Sequence, residues 1–246
     1  MVNLITTDGA VALGLPASFV GLRRTPIMDT EPELPLVHVS RPGSVGSNAP
    51  AVVLIHGRGT NERDLLPIGA QFPEELHVLS VRAPQSMGGP NSYTWYDLDL
   101  SAGGLHASQP DPEGFRRSLD LVHEFVEAAT ERYDLDPDRI GLFGFSQGAI
   151  TSMSALVERP DAYRWVVALN GYLAESHEDG AANAARKPVF IGCGSMDQVI
   201  PPERAERAAE MLSEGGADVR FETYGVGHGT APQELSDVVE WLQSRY

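Results

Sequence analysis

Unbroken apolar runs alternate along this chain with segments whose apolar positions recur every three or four residues. Ala51 to His56, Ile140 to Phe145, Trp165 to Leu169 and Pro188 to Gly192 are apolar without alternation, the pattern of central parallel strands covered on both faces. Leu76 to Val81 adds another strand. Leu34 to Ser40 and Val219 to Tyr224 alternate, which predicts short strands, the second nearer a sheet edge. Between them lie helical patterns. Arg63 to Gln71 is helix-like; Asp111 caps a helix with Pro112 in its first turn and Phe115, Leu119, Val122, Val126 and Ala129 on its apolar face. Ala149 to Leu156 reads as a helix. Pro201 to Glu214 is amphipathic through Ala205, Ala208 and Leu212, with Gly215 as terminator. Thr230 and Gln233 have capping-box spacing ahead of the stripe Leu235, Val238, Val239 and Leu242. This alternation predicts an α/β fold: a mainly parallel central sheet with helices on both faces and minimal or no cap domain. Two regions lack periodicity. Residues 1–33 are expected to form a strand pair or an arm, and residues 84–112, rich in Gly, Pro, Ser and Asn, a functional loop.

The Ile140 run leads into Gly144-Phe145-Ser146-Gln147-Gly148 and then a helix. A serine at the apex of such a turn takes a strained backbone with φ > 0, so that its Oγ projects from the top of the sheet. Side chains two residues to either side would collide, hence Gly144 and Gly148. Bare Gly-x-Ser-x-Gly is a weak signal, and an ordinary tight turn competes with it; the strand before and the helix after supply the context.

In doubly wound sheets, chemistry collects at the carboxyl ends of strands. Ser146 follows the Ile140 strand, Asp197 the Val189 strand and His228 the Val219 strand. Serine, aspartate, histidine is the chain order of α/β-hydrolases and of neither other common triad fold. His228 is expected to take the serine proton, and Asp197 to fix the imidazole tautomer and stabilise the imidazolium. Asp197 also reads as a turn residue, but Asp179 and Asp218 lie in less suitable contexts. Of the histidines, only His228 lies between the Val219 strand and the final helix. The oxyanion of a tetrahedral intermediate needs two donors. The backbone N–H of Gln147, at a helix N-terminus, and of Arg58, in the loop after the Ala51 strand, are the candidates. His56 is expected to order that loop, since no second ligand stands at a metal-binding spacing. Nothing matches a phosphate loop or dinucleotide fingerprint.

Six blocks in order carry a resemblance over Ala51 to the C-terminus: Leu54 to Asp64, Arg82-Ala-Pro84, Trp95-Tyr96-Asp97, Gly144 to Gly148, Gly194 to Pro201 and Gly227-His228. The chain resembles the phospholipase/carboxylesterase branch of the α/β-hydrolases, which includes acyl-protein thioesterases and bacterial carboxylesterases. The resemblance implies ester hydrolysis through an acyl-enzyme without metal or cofactor, a triad at Ser146, Asp197 and His228, and oxyanion donors at Arg58 and Gln147. A serine carboxylesterase for short to medium acyl esters is the expectation, with lysophospholipids and thioesters in range. Rival readings are a lactone or amide hydrolase of the same fold and a non-catalytic binding protein built on it. Arg58 stands where an apolar residue is expected and is either solvated or faces an anionic substrate group. The Gln85 to Asn91 loop also diverges. Trp95, Tyr96 and Met87 are the candidate pocket residues, with packing of the loop as the alternative for the two aromatics.

The length of 246 residues suits one domain. No apolar run approaches the roughly twenty residues of a membrane helix, and Met1 to Thr30 lacks the order of a secretory signal, so a soluble cytoplasmic protein is expected. Cys193, the single cysteine, excludes an internal disulfide and reads as a buried inert thiol. A net charge of −16, with Lys187 the only lysine, argues against nucleic acid and against insertion into anionic membranes. The expected partner is a small acyl ester, and a homodimer is left open. This acidity fits a salt-loving source, the alternative being an acidic protein from an arginine-rich mesophile. In the first case the melting temperature rises from low to multimolar salt; a flat or falling profile contradicts it.

Overall fold

The apolar runs assemble into a seven-stranded sheet in the computed structural model, which describes residues 34–246. The strand pair or arm expected over residues 1–33 lies outside the described residues. In chain order the elements begin with β1 (His38–Arg41), β2 (Ala49–Ile55), α1 (Leu66–Gly69) and β3 (His77–Val81). Four two-residue strands follow: β4 (Gln85–Ser86), β5 (Tyr93–Thr94), β6 (Leu98–Asp99) and β7 (Gln109–Pro110). The rest are α2 (Pro112–Arg132), β8 (Leu135–Phe145), α3 (Gln147–Glu158), β9 (Trp165–Leu169), α4 (Glu175–Glu178), β10 (Pro188–Gly194), α5 (Pro202–Glu214), β11 (Asp218–Tyr224) and α6 (Pro232–Leu242). The sheet order is β1-β3-β2-β8-β9-β10-β11; β1 runs antiparallel to β3 and every other neighbouring pair is parallel.

Successive residues of the central strands enter two separate cores. Val53, Ile55, Leu142, Ala168 and Ile191 pack with residues of α2, α3 and α5, including Leu119, Met153 and Leu212. Val52, Leu54, Phe143, Val167 and Phe190 pack with Leu65 and Phe72 beside α1 and with Val238 and Trp241 of α6. Burying each large apolar side chain contributes about 1.5–3 kcal/mol, so both faces of a strand reward an unbroken apolar run. β11, with one neighbour, is only partly buried, as expected for a strand at the sheet edge.

Local details depart from the pattern. β8 starts at Leu135 rather than Ile140, because Leu135 pairs with Ala49 beyond a register shift in β2. The expected helix over Arg63 to Gln71 contracts to the four residues of α1. In α6 the cap falls one residue later than Thr230: Pro232 takes the first turn, and the Ala231 N–H donates to Glu234 Oε2 at 3.1 Å. α5 ends at Glu214 with Gly215 as its C-cap, as expected, while the left-handed backbone falls one residue later, at Gly216 with φ +92°. The aperiodic 84–112 stretch holds two tiny antiparallel pairs, β4–β5 and β6–β7, too short to show a period. Among the described residues no helix is long and apolar enough to cross a membrane. Burial pushes the Cys193 thiol up to about 11.

Glu234 is buried between α6 and the sheet, and its Oε1 meets no partner among the described residues. Burial, reinforced by the nearby charge of Asp237 and opposed by the Ala231 N–H, pushes its carboxyl up to about 7 from an ordinary 4.5. A folded state that holds this proton longer than the unfolded chain loses stability as pH rises from about 4.5 through 7. Glu234→Gln removes that loss. Denaturant unfolding at pH 5 and pH 8 is expected to show the variant gaining on the parent as pH rises, by an amount on the order of 3 kcal/mol. An equal difference at both pH values contradicts the assignment.

Candidate active site

The elbow between β8 and α3 is strained and tightly bounded. Ser146 has φ 55° and ψ −117°, a conformation that costs on the order of 1–3 kcal/mol. Packing enforces it. A β-carbon on Gly144 would run into the carbonyl of Gly148, and one on Gly148 into the carbonyl of Ile55 in β2. The Ser146 N–H donates to Leu169 O at 2.9 Å, while its carbonyl accepts from Ala149 at 2.9 Å and Ile150 at 3.1 Å to start the helix.

Three side chains predicted from three separate strand ends meet here. His228 Nε2 lies 3.0 Å from Ser146 Oγ, and His228 Nδ1 lies 2.6 Å from Asp197 Oδ2. Asp197 is buried, and its Oδ1 accepts the backbone N–H groups of Val199 at 2.8 Å and Ile200 at 3.0 Å. One oxygen thus anchors the turn and the other faces the imidazole. The Phe145 ring packs against His228 with centroids 5.2 Å apart. A hydroxyl, an imidazole and a carboxylate in such a line can pass a proton from oxygen to ring, with the carboxylate stabilising the charge that results.

The loop after β2 is held from several sides. His56 is fully buried, its Nδ1 2.7 Å from the Gly57 carbonyl, and its Nε2 accepts the Ala83 N–H at 3.0 Å; burial holds its pKa below the ordinary value. Gly59 donates to Tyr93 O at 2.7 Å and Tyr93 returns a bond to Thr60 O at 2.9 Å. The Tyr93 ring stacks on Arg82, which grips Glu62 through two bonds of 2.6 and 2.8 Å. Burial alone would raise the Glu62 carboxyl, but the bonds from Arg82 outweigh it and hold it below its ordinary value. The backbone N–H groups of Arg58 and Gln147 donate to no acceptor among the described residues.

Trp95 and Tyr96 are fully buried and line no part of the cavity beside Ser146, which corrects the pocket expectation for both. They are scaffold. Trp95 Nε1 donates to His56 O at 2.8 Å, and Ser118 Oγ donates to the Trp95 carbonyl. The Gln147 side-chain amide accepts through Oε1 from Thr94 Oγ1 at 3.0 Å and from the Trp95 N–H at 3.2 Å, and donates through Nε2 to Tyr96 O at 2.9 Å. Residues 93–96 therefore clamp the β2 loop to the elbow. Met87 also fails as a pocket residue: it is exposed just past β4, where its N–H donates to Ser92 O at 2.9 Å, and it does not line the cavity. The cavity itself, about 220 Å³, has an apolar wall of Leu98, Leu105, Ile150, Tyr172, Val199 and Ile200, with Ser146 and His228 in its lining and Arg58 beside them.

The Phospholipase/Carboxylesterase family profile matches residues 43–245. The chain belongs to the phospholipase/carboxylesterase family. It is a carboxylic ester hydrolase of the serine type with the α/β-hydrolase fold. Among its relatives is acyl-protein thioesterase 1 of Candida albicans, 26% identical over 225 residues that cover 82% of this chain and 95% of that protein. Among solved structures, esterase PE8 is 28% identical with a TM-score of 0.74, covering 84% of this chain and 97% of that one. The Bacillus cereus carboxylesterase is 26% identical with a TM-score of 0.72, covering 86% and 95%.

One residue of this family member was missed by sequence reasoning. Asn170, directly after β9, is fully buried with φ 53°. Its Oδ1 accepts the Gly194 N–H at 2.9 Å and its Nδ2 donates to Gly229 O at 2.8 Å, tying the turn that leads to Asp197 to the loop that carries His228. An asparagine just past a strand end, a type that tolerates left-handed backbone, was the available signal. Asn170→Ala is expected to lower unfolding stability by about 2–4 kcal/mol, through two lost buried bonds and left-handed strain. Asn170→Gly, which loses only the bonds, is expected to fall less in the same urea titration. Parent-like stability of the alanine variant contradicts this account.

Proposed function

We propose that the protein is a cofactor-independent serine esterase that hydrolyses short to medium acyl esters through an acyl-enzyme, with Ser146 as nucleophile, His228 as base and Asp197 as its orienting acid. The observation that carries the reading is the continuous line Asp197–His228–Ser146, at 2.6 and 3.0 Å, on a strained elbow. With Nδ1–H donating to Asp197, Nε2 is free to accept the Ser146 proton as Oγ bonds to the ester carbonyl carbon. The carbonyl electron pair moves to oxygen, and the N–H groups of Arg58 and Gln147 receive the oxyanion; each such donor is typically worth about 3 kcal/mol. Collapse expels the alcohol, which takes the proton from His228. Water then repeats the sequence on the acyl-enzyme, releasing the acid and restoring Ser146.

The apolar cavity wall suits an acyl chain, and the cavity volume of about 220 Å³, below the usual range of ligand sites, favours a short one. The same steps cleave a thioester, the bond in the name of the Candida albicans relative. We assign the enzyme to the cytoplasm, with a small acyl ester as its substrate.

Turnover of p-nitrophenyl esters of graded chain length tests the reading. The parent is expected to favour short acyl groups, and Ser146→Ala or His228→Ala to lose on the order of 10⁶ in kcat, Asp197→Ala somewhat less. Undiminished turnover by Ser146→Ala would sink the mechanism.

A further inference from the structure

The cavity beside Ser146 differs in charge from the molecule around it. The chain carries 34 acidic residues against 18 lysines and arginines, yet among the described residues no aspartate or glutamate lines this cavity. Among the described residues Arg58 is the one permanent cation that lines it, and it is exposed with no hydrogen-bond or ion-pair partner there. Elsewhere arginines on this acidic surface take carboxylates: Arg116 with Glu158, Arg139 with Asp136, Arg207 with Glu178. Glu62, the acid nearest to Arg58 in sequence, is committed to Arg82.

We propose that Arg58 makes the site selective for esters that bear a second, anionic group, a carboxylate on the acyl or the alcohol portion. This rests on the reading of Ser146 as nucleophile and narrows it to a substrate class. The planar guanidinium fork matches a carboxylate and bonds it in two places. Its backbone belongs to the loop that faces the reacting carbonyl, so a substrate held by the side chain is also aligned with the oxyanion donors. The apolar wall takes the remainder of the ester. The net negative charge does not forbid such a substrate: at about 0.15 M salt charges more than roughly 8 Å away are largely screened, whereas a contact pair within a cavity is screened much less.

Two substrate pairs distinguish the acyl from the alcohol side. The first is the p-nitrophenyl half-ester of glutaric acid against its terminal carboxamide; the second is 4-carboxyphenyl butyrate against 4-carbamoylphenyl butyrate. Within each pair the ratio of kcat/KM, charged over neutral, is the readout, so any effect of substitution on the oxyanion loop cancels. The parent is expected to favour the charged member of at least one pair about tenfold or more. Arg58→Gln should bring that ratio close to one, Arg58→Lys should keep part of it and Arg58→Glu should reverse it. A parent that hydrolyses the neutral esters without favouring a charged one, or a ratio unchanged in Arg58→Gln, overturns this proposal alone. A parent that turns over none of the four esters overturns it together with the esterase reading.

Discussion

The start of α3 lies so close to β2 that no side chain fits at Gly148, where a β-carbon would enter the Ile55 carbonyl. This contact fixes the turn that precedes it. Because helix, β2 and β9 are all held at short range, Ser146 has no room to relax from φ 55°, and its Oγ stays directed at the carboxyl edge of the sheet. The strain of roughly 1–3 kcal/mol is small beside the burial of both sheet faces, so the fold sustains it. A serine in relaxed backbone could form the same hydrogen bond to histidine but would not stand clear of the sheet for a substrate.

Around that point, positioning and chemistry fall to different residues. Residues 93–96 tie the β2 loop to Gln147, Arg82 and Glu62 tie the same region to the end of β3, and Asn170 ties the Asp197 turn to the His228 loop. Of these residues only Gln147 also lines the cavity. They make the carboxyl ends of β2, β8, β9, β10 and β11 a single rigid edge, so that groups distant in sequence can hold distances near 3 Å.

Much of this was legible from sequence because the governing constraints are local or periodic. Strands buried on both faces must be apolar throughout, so Ala51 to His56 and Trp165 to Leu169 announced themselves. The elbow glycines follow from sterics within five residues, and the positions of Asp197 and His228 follow from strand order. What was missed depends on contacts that no local pattern encodes. Trp95 and Tyr96 have the composition of pocket residues but are buried by α2 and the elbow, and only tertiary packing decides between those fates. Asn170 shows no motif because its partners are 24 and 59 residues away. The capping shift to Ala231 and the left-handed Gly216 are single-residue choices among near-equivalent neighbours.

The elbow presents one serine among many to His228, the base proposed to activate it. Incubation of the intact protein with a fluorophosphonate, followed by proteolysis and peptide mass spectrometry, tests it directly. One covalent adduct per chain is expected, on Ser146, abolished in His228→Ala. An adduct mapped to any other residue, or none on the active parent, would contradict it.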